Sequence, residues 1–117
     1  MQFLSNPTAG AGVSFPGGGG GGSATGGVAT IDFGAFPGSN EASIAVTGQG
    51  SILSTSPIAL AISADDTTAD HSASDHSYFA MVVGLSYGSV VDATGFTIYA
   101  RSQYKLQGTF KVRWIWN

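Results

Sequence analysis

The sequence predicts an all-β domain: an antiparallel β-sandwich or jelly-roll-like barrel of six to eight short strands, preceded by an extended glycine-rich N-terminal arm. Three observations predict this class. The final run 108–117 places large apolar residues at alternate positions, β-type segments before it are separated by Gly, Pro and Asn, and no segment shows a convincing helical period. Short strands with this punctuation are typical of sandwiches and barrels.

Composition limits the function classes. The chain has 117 residues, a single-domain length, and only 9% of them are charged, against roughly 25% in soluble domains. The formal net charge is −3 without any basic tract, so nucleic acid is not an expected partner, because phosphate neutralisation needs clustered Lys and Arg. The absence of cysteine removes disulfides and thiolate chemistry.

Residues 1–27 differ from the rest of the chain, and we divide it into an arm at 1–27 and a sandwich domain at 28–117. The arm contains six consecutive glycines at 17–22, which lose much conformational freedom on ordering. It is interpreted either as a flexible leader or as a segment that docks on a neighbouring subunit through four apolar anchors: Phe3, Leu4, Val13 and Phe15. The start of the chain has no basic n-region and no long apolar stretch, so neither a secretory signal nor a membrane partner is expected.

Turn residues and period-2 patterns place the strands in order along the chain. Strands are predicted at 28–34, 41–49, 56–63, 77–86, 95–103 and 108–117, with a polar loop at 64–77 and a short strand or irregular crossing at 87–95. The segment 77–86 is apolar on both faces, which predicts a central strand or one buried between two layers.

The last predicted strand has a different role on each side. One side carries four residues that we assign to the core: Phe110, Val112, Trp114 and Trp116. The opposite side carries Lys111 and Arg113, which we expect to contact a partner, because successive side chains of a strand alternate between faces.

The loop 64–77 holds both histidines of the chain in two Asp-His pairs, Asp70-His71 and Asp75-His76. Imidazole and carboxylate groups suit a divalent metal, with the carboxylate as ligand or as the group that orients the imidazole. The spacing matches neither a helical His-Glu-x-x-His site nor an EF-hand. Three interpretations stay open: a solvated loop with local hydrogen bonds, an acidic surface for a basic partner, and a metal site. No cofactor is expected.

Catalysis has no good candidate in this chain, since no strand-turn-helix is predicted that would carry a Gly-x-Ser-x-Gly elbow, and we do not expect an enzyme. Exposed aromatic residues are an alternative route to function. Tyr99 and Tyr104 fall outside the predicted core pattern or in a turn, which is where a residue that stacks on a sugar would lie. Against this, large aromatics in a small sandwich usually belong to the core or to a subunit interface.

Three stretches carry a family resemblance. VATIDFGAFPGSNEASIAVTGQGSIL, DHSASDHSYFAMVV and DATGFTIYARSQYKLQGTFKVRWIW resemble, in this order, a small β module that recurs in structural proteins of tailed bacteriophages. The resemblance covers about residues 28–117 and consists of turns and strands, without a catalytic signature. It implies a non-enzymatic virion component, usually a symmetric oligomer.

From the resemblance we expect a capsid decoration (cement) protein that docks on neighbouring subunits. A tail, baseplate or fibre component, with a possible role in binding host-surface glycan, is the alternative. The expected partners are further copies of the chain, with a trimer favoured, and other virion proteins such as the major capsid protein or tail proteins. The expected location is the virion. So few charges also leave sheet edges poorly protected, and neighbouring chains are expected to cover some of them.

Overall fold

A computed structural model describes residues 24–117 and shows two antiparallel three-stranded sheets packed face to face. The β-sandwich predicted from the sequence is therefore confirmed. The elements in chain order are β1 (Thr25–Asp32), β2 (Ser39–Val46), β3 (Ile58–Ala61), α1 (Ala73–Val82), β4 (Val83–Val91), β5 (Gly95–Leu106) and β6 (Thr109–Trp116). Sheet A has the strand order β1-β6-β3 and sheet B has the order β2-β5-β4.

Strand β6 is the central strand of sheet A, and its alternation is the one predicted. Phe110, Val112 and Trp116 are 3%, 0% and 6% exposed, so the predicted core face is confirmed. Trp114 is partly buried and meets Phe96 of sheet B edge to face, with ring centroids 5.7 Å apart. Such contacts join the inner faces of the two sheets.

Strand β1 begins at Thr25, so the last three residues of the predicted arm already pair with β6. Gly27 lies opposite Trp114 in this pairing. A Cβ atom at position 27 would lie 2.5 Å from the Trp114 ring atom Cζ2, closer than side chains approach one another. The glycine is required here because the indole ring occupies the space beside the strand.

The strand predicted at 77–86 is wrong over its first six residues, because residues 77–82 belong to α1 and β4 starts only at Val83. A capping box starts the helix: the Ser72 hydroxyl accepts from the Asp75 N–H at 3.2 Å, and the Asp75 carboxylate accepts from the Ser72 N–H at 3.1 Å. Of the helical residues, His76 and Phe79 are buried. Tyr78 and Met81 are 52% and 81% exposed, so the apolar character of this segment comes partly from its surface.

Candidate functional site

His76 is fully buried, and its two hydrogen bonds define its protonation state. Its Nε2 atom accepts from the backbone N–H of Lys111 at 3.0 Å, while its Nδ1 atom lies 2.9 Å from the carbonyl oxygen of Ser72. Because the first contact needs an acceptor and the second needs a donor, the ring is neutral with its proton on Nδ1. The lone pair that a metal would use is already occupied.

His71 faces two acceptors. Its Nε2 atom lies 2.6 Å from the carbonyl oxygen of Gln107, and its Nδ1 atom lies 3.1 Å from a carboxylate oxygen of Asp75. Both ring nitrogens must therefore carry protons for both contacts to be hydrogen bonds. The ring stacks on Phe110 with centroids 4.0 Å apart, and Phe79 stacks on Phe110 at 4.1 Å. These contacts leave no free nitrogen on His71.

The two carboxylates of the Asp-His pairs accept hydrogen bonds from the backbone. The side-chain O–H and the backbone N–H of Thr109 donate to one oxygen of Asp70, at 2.8 and 2.9 Å, and hold the pKa of Asp70 below its ordinary value. The backbone N–H of Ser72, followed by the His71 side chain, lowers the pKa of Asp75 in the same way. The anionic forms of both carboxylates are therefore favoured. The hydrogen bonds from Thr109 also connect Asp70, in the loop, to the start of β6.

Asp70, His71, Asp75 and His76 together form what we call the Asp-His clasp. Its four members come from the loop before α1 and from the first two turns of the helix, and they bind the helix and loop to Gln107, Thr109 and Lys111. Within residues 24–117 no three His, Asp or Glu side chains are arranged to hold a metal ion. Hydrogen bonds hold this segment, as one of the three interpretations expects, but they reach Gln107 and β6 rather than staying local, and His76 is buried rather than solvated.

The two basic residues predicted to contact a partner differ in their surroundings. Arg113 makes a bidentate pair with Asp66, with Nε to Oδ2 at 3.1 Å and an Nη atom to Oδ1 at 2.6 Å, and this pairing raises the pKa of Arg113. The Asp66 side chain is only 7% exposed, whereas that of Arg113 is 53% exposed. Lys111 has no ion pair with any residue from 24 to 117. The predicted anchors Phe3, Leu4, Val13 and Phe15 lie outside the described residues.

A groove at one end of the sandwich combines exposed aromatic side chains with polar groups. We call it the aromatic groove; it has a volume of about 380 Å³ and is lined by Phe36, Pro37, His71, Asp75, Tyr78, Lys105, Leu106, Gln107 and Phe110. Phe36 is 84% exposed at the turn between β1 and β2, and Tyr78 projects from α1. The floor is the His71 and Phe110 stack. The Asp-His clasp thus also supports a surface depression.

The outer face of sheet B carries a second depression, of about 590 Å³. The strand register places three rows of residues on this outer face, across β2, β5 and β4: Glu41, Arg101 and Gly84; Ser43, Tyr99 and Ser86; Ala45, Thr97 and Gly88. The first two rows line the depression. We call this surface the Tyr99 face. Apart from Tyr99, it carries hydroxyls, small residues and the exposed ion pair between Arg101 and Glu41, whose N–O distance is 3.2 Å.

Contacts on β4 hold the Tyr99 ring in place. Its hydroxyl lies 3.1 Å from the Ser89 hydroxyl, so one of the two donates to the other. Its Cε2 atom lies 3.3 Å from the place where a Cβ atom of Gly88 would be. A side chain at position 88 would therefore push the ring away, and the glycine allows it to lie across β4.

The structure does not bring Tyr99 and Tyr104 into one site. The register between β2 and β5 is offset between the pairs Glu41 with Arg101 and Ser39 with Leu106, and Tyr104 lies within this irregular stretch. Tyr104 is 55% exposed but lines neither depression. Of the two tyrosines predicted to bind a glycan, Tyr99 alone occupies a concave surface.

Sequence reasoning missed the residues that surround these surfaces. Tyr78 falls in the segment 77–86 that was predicted as a central or buried strand, and neither Phe36 nor Lys105 was assigned to a site. The partners Arg101 and Glu41 are 60 positions apart, and their pairing follows from the register alone. The sequence does contain one signal for the helix, the Ser-x-x-Asp pattern of the capping box. This pattern would have predicted a helix at 73–82 and an exposed Tyr78.

Comparison of the chain with protein-family models, with curated proteins and with solved structures gave no match. In the part of the chain from residue 24 onward, no helix is both long and apolar enough to cross a membrane. The functional proposal therefore depends on the resemblance of the sequence stretches and on the surfaces described above.

Proposed function

We propose that the chain is a non-enzymatic structural protein of a tailed bacteriophage virion, and that it acts as a capsid decoration protein docked on neighbouring subunits. Two things support the proposal. The pattern of strands and turns across about residues 28–117 resembles the small β module of such proteins. In addition, the domain has surfaces and edge strands that are suited to contacts with neighbouring protein subunits.

The main support for the proposal is that the edge strands of both sheets contain few charged residues. Strands β1 and β3 are the edges of sheet A, and β2 and β4 are the edges of sheet B. Between them these four strands contain two charged residues, Asp32 and Glu41, and no Lys or Arg. Monomeric proteins usually protect their edge strands with charged residues or proline, because an unprotected edge can pair with a strand of another chain. Edges of this composition favour coverage by a neighbouring chain.

Strand β4 is the longest of these four edges. It spans nine residues without a charge and has a hydrogen-bonded neighbour, β5, on one side only. On its other side it lies near the four-residue strand β3, which is too short to cover it. Tyr87 and Val91 of β4 are 43% and 54% exposed. A partner strand could add here through backbone hydrogen bonds, and many weak contacts of this kind would together hold a decoration protein on a shell.

A tail, baseplate or fibre component that binds host-surface glycan is the second candidate. The Tyr99 face favours it, since an aromatic ring surrounded by hydroxyls in a shallow depression is suited to a sugar. The two candidates differ in where the protein lies on the particle and in whether it binds saccharide.

The proposal is tested on purified particles of the phage that encodes the chain. Mass spectrometry is expected to detect the protein, and gold-labelled antibody against residues 28–117 is expected to label the whole head in electron micrographs. Label confined to the tail would support the second candidate, and absence of the protein from the particle would refute both. Light scattering on the full chain is expected to give a closed oligomer, with a trimer favoured.

The contribution of the β4 edge is tested by the substitution Tyr87→Lys, which places a charge on the edge. It is expected to reduce incorporation into particles, because a lysine on an edge opposes strand addition. The matched control is Met81→Lys, which adds the same charge at an 81% exposed position on α1. Equal incorporation of the two variants would show that β4 is not the contact.

A further inference from the structure

The Tyr99 face presents a fixed aromatic surface at its centre. The ring lies over Gly88, its hydroxyl is hydrogen-bonded to Ser89, and 41% of the side chain stays exposed. Because the ring is held by these contacts before any ligand arrives, little conformational freedom remains to be lost on binding.

The surroundings of the ring supply short polar groups. Ser43 and Ser86 are its neighbours on β2 and β4, and Thr97 lies two residues before it on β5. Hydroxyls both donate and accept hydrogen bonds. At Gly84 the absence of a side chain keeps the depression open on the β4 side. A ligand with an apolar ring face and hydroxyls at its rim would match this arrangement of one aromatic and several hydroxyls.

The charges of the face are balanced. Arg101 and Glu41 pair with each other, with 75% and 63% of their side chains exposed, and the other seven residues of the face are uncharged. A nucleotide or an acidic saccharide would need an uncompensated cation, which these nine residues do not offer. The ion pair instead offers one planar donor group and one acceptor group to ligand hydroxyls.

We propose that the Tyr99 face is a binding site for a neutral pyranose saccharide, with Tyr99 as the stacking residue and Arg101, Glu41 and the surrounding hydroxyls as hydrogen-bonding groups. This site deepens the second candidate function proposed above by naming its residues and the class of saccharide, and its test on the isolated chain does not depend on where the protein lies in a virion. Single sites of this shallow kind bind weakly, and several copies on one assembly would raise the overall affinity.

The experiment is NMR titration of the isotopically labelled full chain with uncharged sugars. The probes are the methyl glycosides of glucose, galactose, mannose and N-acetylglucosamine, together with maltose, lactose and cellobiose. At least one probe is expected to shift backbone amide signals of β2, β4 and β5, with a Kd on the order of 1 mM. Sialyllactose and a heparin disaccharide serve as charged probes and are expected to bind no more tightly than the neutral sugars.

Three variants identify the binding residue. Tyr99→Ala is expected to weaken binding about tenfold or more through loss of the stacking surface. Tyr99→Phe keeps the ring but loses the bond to Ser89, and it is expected to retain most of the affinity, which shows that the fold survives change at this position. Tyr104→Ala removes a somewhat more exposed tyrosine, 55% against 41%, that lies outside the face, and it is expected to leave binding unchanged.

Several results would overturn the site. One is that no neutral sugar shifts the backbone amide signals, and another is that the shifts centre on the aromatic groove at Phe36 and Tyr78. A third is that the wild type and Tyr99→Ala bind equally well. Light scattering adds a further one: dissociation of an oligomer by Tyr99→Ala would show that the face is a subunit interface. None of these outcomes bears on whether the protein is part of a virion, because all are measured on the isolated chain.

Discussion

The backbone N–H of Lys111 donates to the buried imidazole of His76 at 3.0 Å, joining α1 to the central strand of sheet A. The two residues are 35 positions apart, and the contact occupies a backbone group of β6 that would otherwise need another acceptor. This hydrogen bond connects α1, which was not predicted from the sequence, to β6, the strand that was predicted best. The other members of the Asp-His clasp reinforce the same connection.

Replacement of His76 by Leu is expected to lower the free energy of unfolding by about 2–3 kcal/mol, because the Lys111 N–H would remain buried without an acceptor. Urea denaturation measures the change. Tyr104→Leu, at an exposed position, is the control and is expected to change stability by less than about 0.5 kcal/mol. A loss for His76→Leu as small as that of the control would mean that the buried hydrogen bond adds nothing to stability.

The clasp carboxylates predict a dependence of stability on acid pH. The folded-state pKa values of Asp70 and Asp75 are lowered by hydrogen bonds from Thr109 and Ser72. Groups of this kind stabilise the fold above their unfolded pKa, about 3.9 for Asp, and this stabilisation is lost as the pH falls through the lower folded values. The melting temperature of the wild type is therefore expected to decrease as the pH falls below about 4.

Neutral variants test which carboxylates cause this decrease. Asp70→Asn and Asp75→Asn are each expected to lower the melting temperature at pH 7 and to make its dependence on acid pH shallower. Asp65→Asn removes the same charge from a side chain without a hydrogen-bond partner among residues 24–117, and its profile is expected to parallel that of the wild type. Identical profiles for all three variants would assign the acid sensitivity to other groups.

The pair between Arg113 and Asp66 predicts an asymmetry between two deletions. Arg113→Ala leaves the 7% exposed Asp66 carboxylate uncompensated and is expected to cost about 2–3 kcal/mol. Asp66→Ala leaves a guanidinium that is 53% exposed and can be hydrated, so its expected cost is about 1 kcal/mol. Chemical denaturation of both variants checks the order, and the reverse order would show that the arginine is the more poorly solvated partner.

Two apolar residues of α1 distinguish the helix from the strand predicted for this segment. Phe79 is fully buried and Met81 is 81% exposed. Phe79→Ala is expected to lower the free energy of unfolding by about 3–5 kcal/mol, and Met81→Ala by less than about 0.5 kcal/mol. In the predicted strand both residues would share one face. Similar losses for the two variants, measured by denaturation, would therefore contradict the helix.

The β-strands were predictable where alternation and turn residues agreed. In β6 the four assigned core residues occupy one side of the strand, and in β5 the alternation of Phe96, Ile98 and Ala100 also gives the buried face. The segment 77–86 failed because its large apolar residues lie on both the buried and the exposed sides of α1, which removes the helical period. Its Ser72 and Asp75 capping box was the remaining signal, and this signal is short and local.

The candidate sites were predictable only in part. Tyr99 was recognised as lying outside the core pattern, and the Asp-His pairs were recognised as unusual. Their environments were not predictable. His71 contacts acceptors 4 and 36 positions away, and buried His76 accepts from a backbone group 35 positions away. The partners Arg101 and Glu41 are 60 positions apart.

The sequence by itself determined the all-β class, the inward face of the final strand and the low charge of the surface, because strand periodicity and composition are local properties of the chain. Only the tertiary structure decided that the Asp-His residues form a hydrogen-bonded clasp, that Arg113 is paired with Asp66, and that Tyr99 lies in a depression while Tyr104 does not. These features depend on strand order, register and the docking of α1, which bring together residues that no local pattern relates.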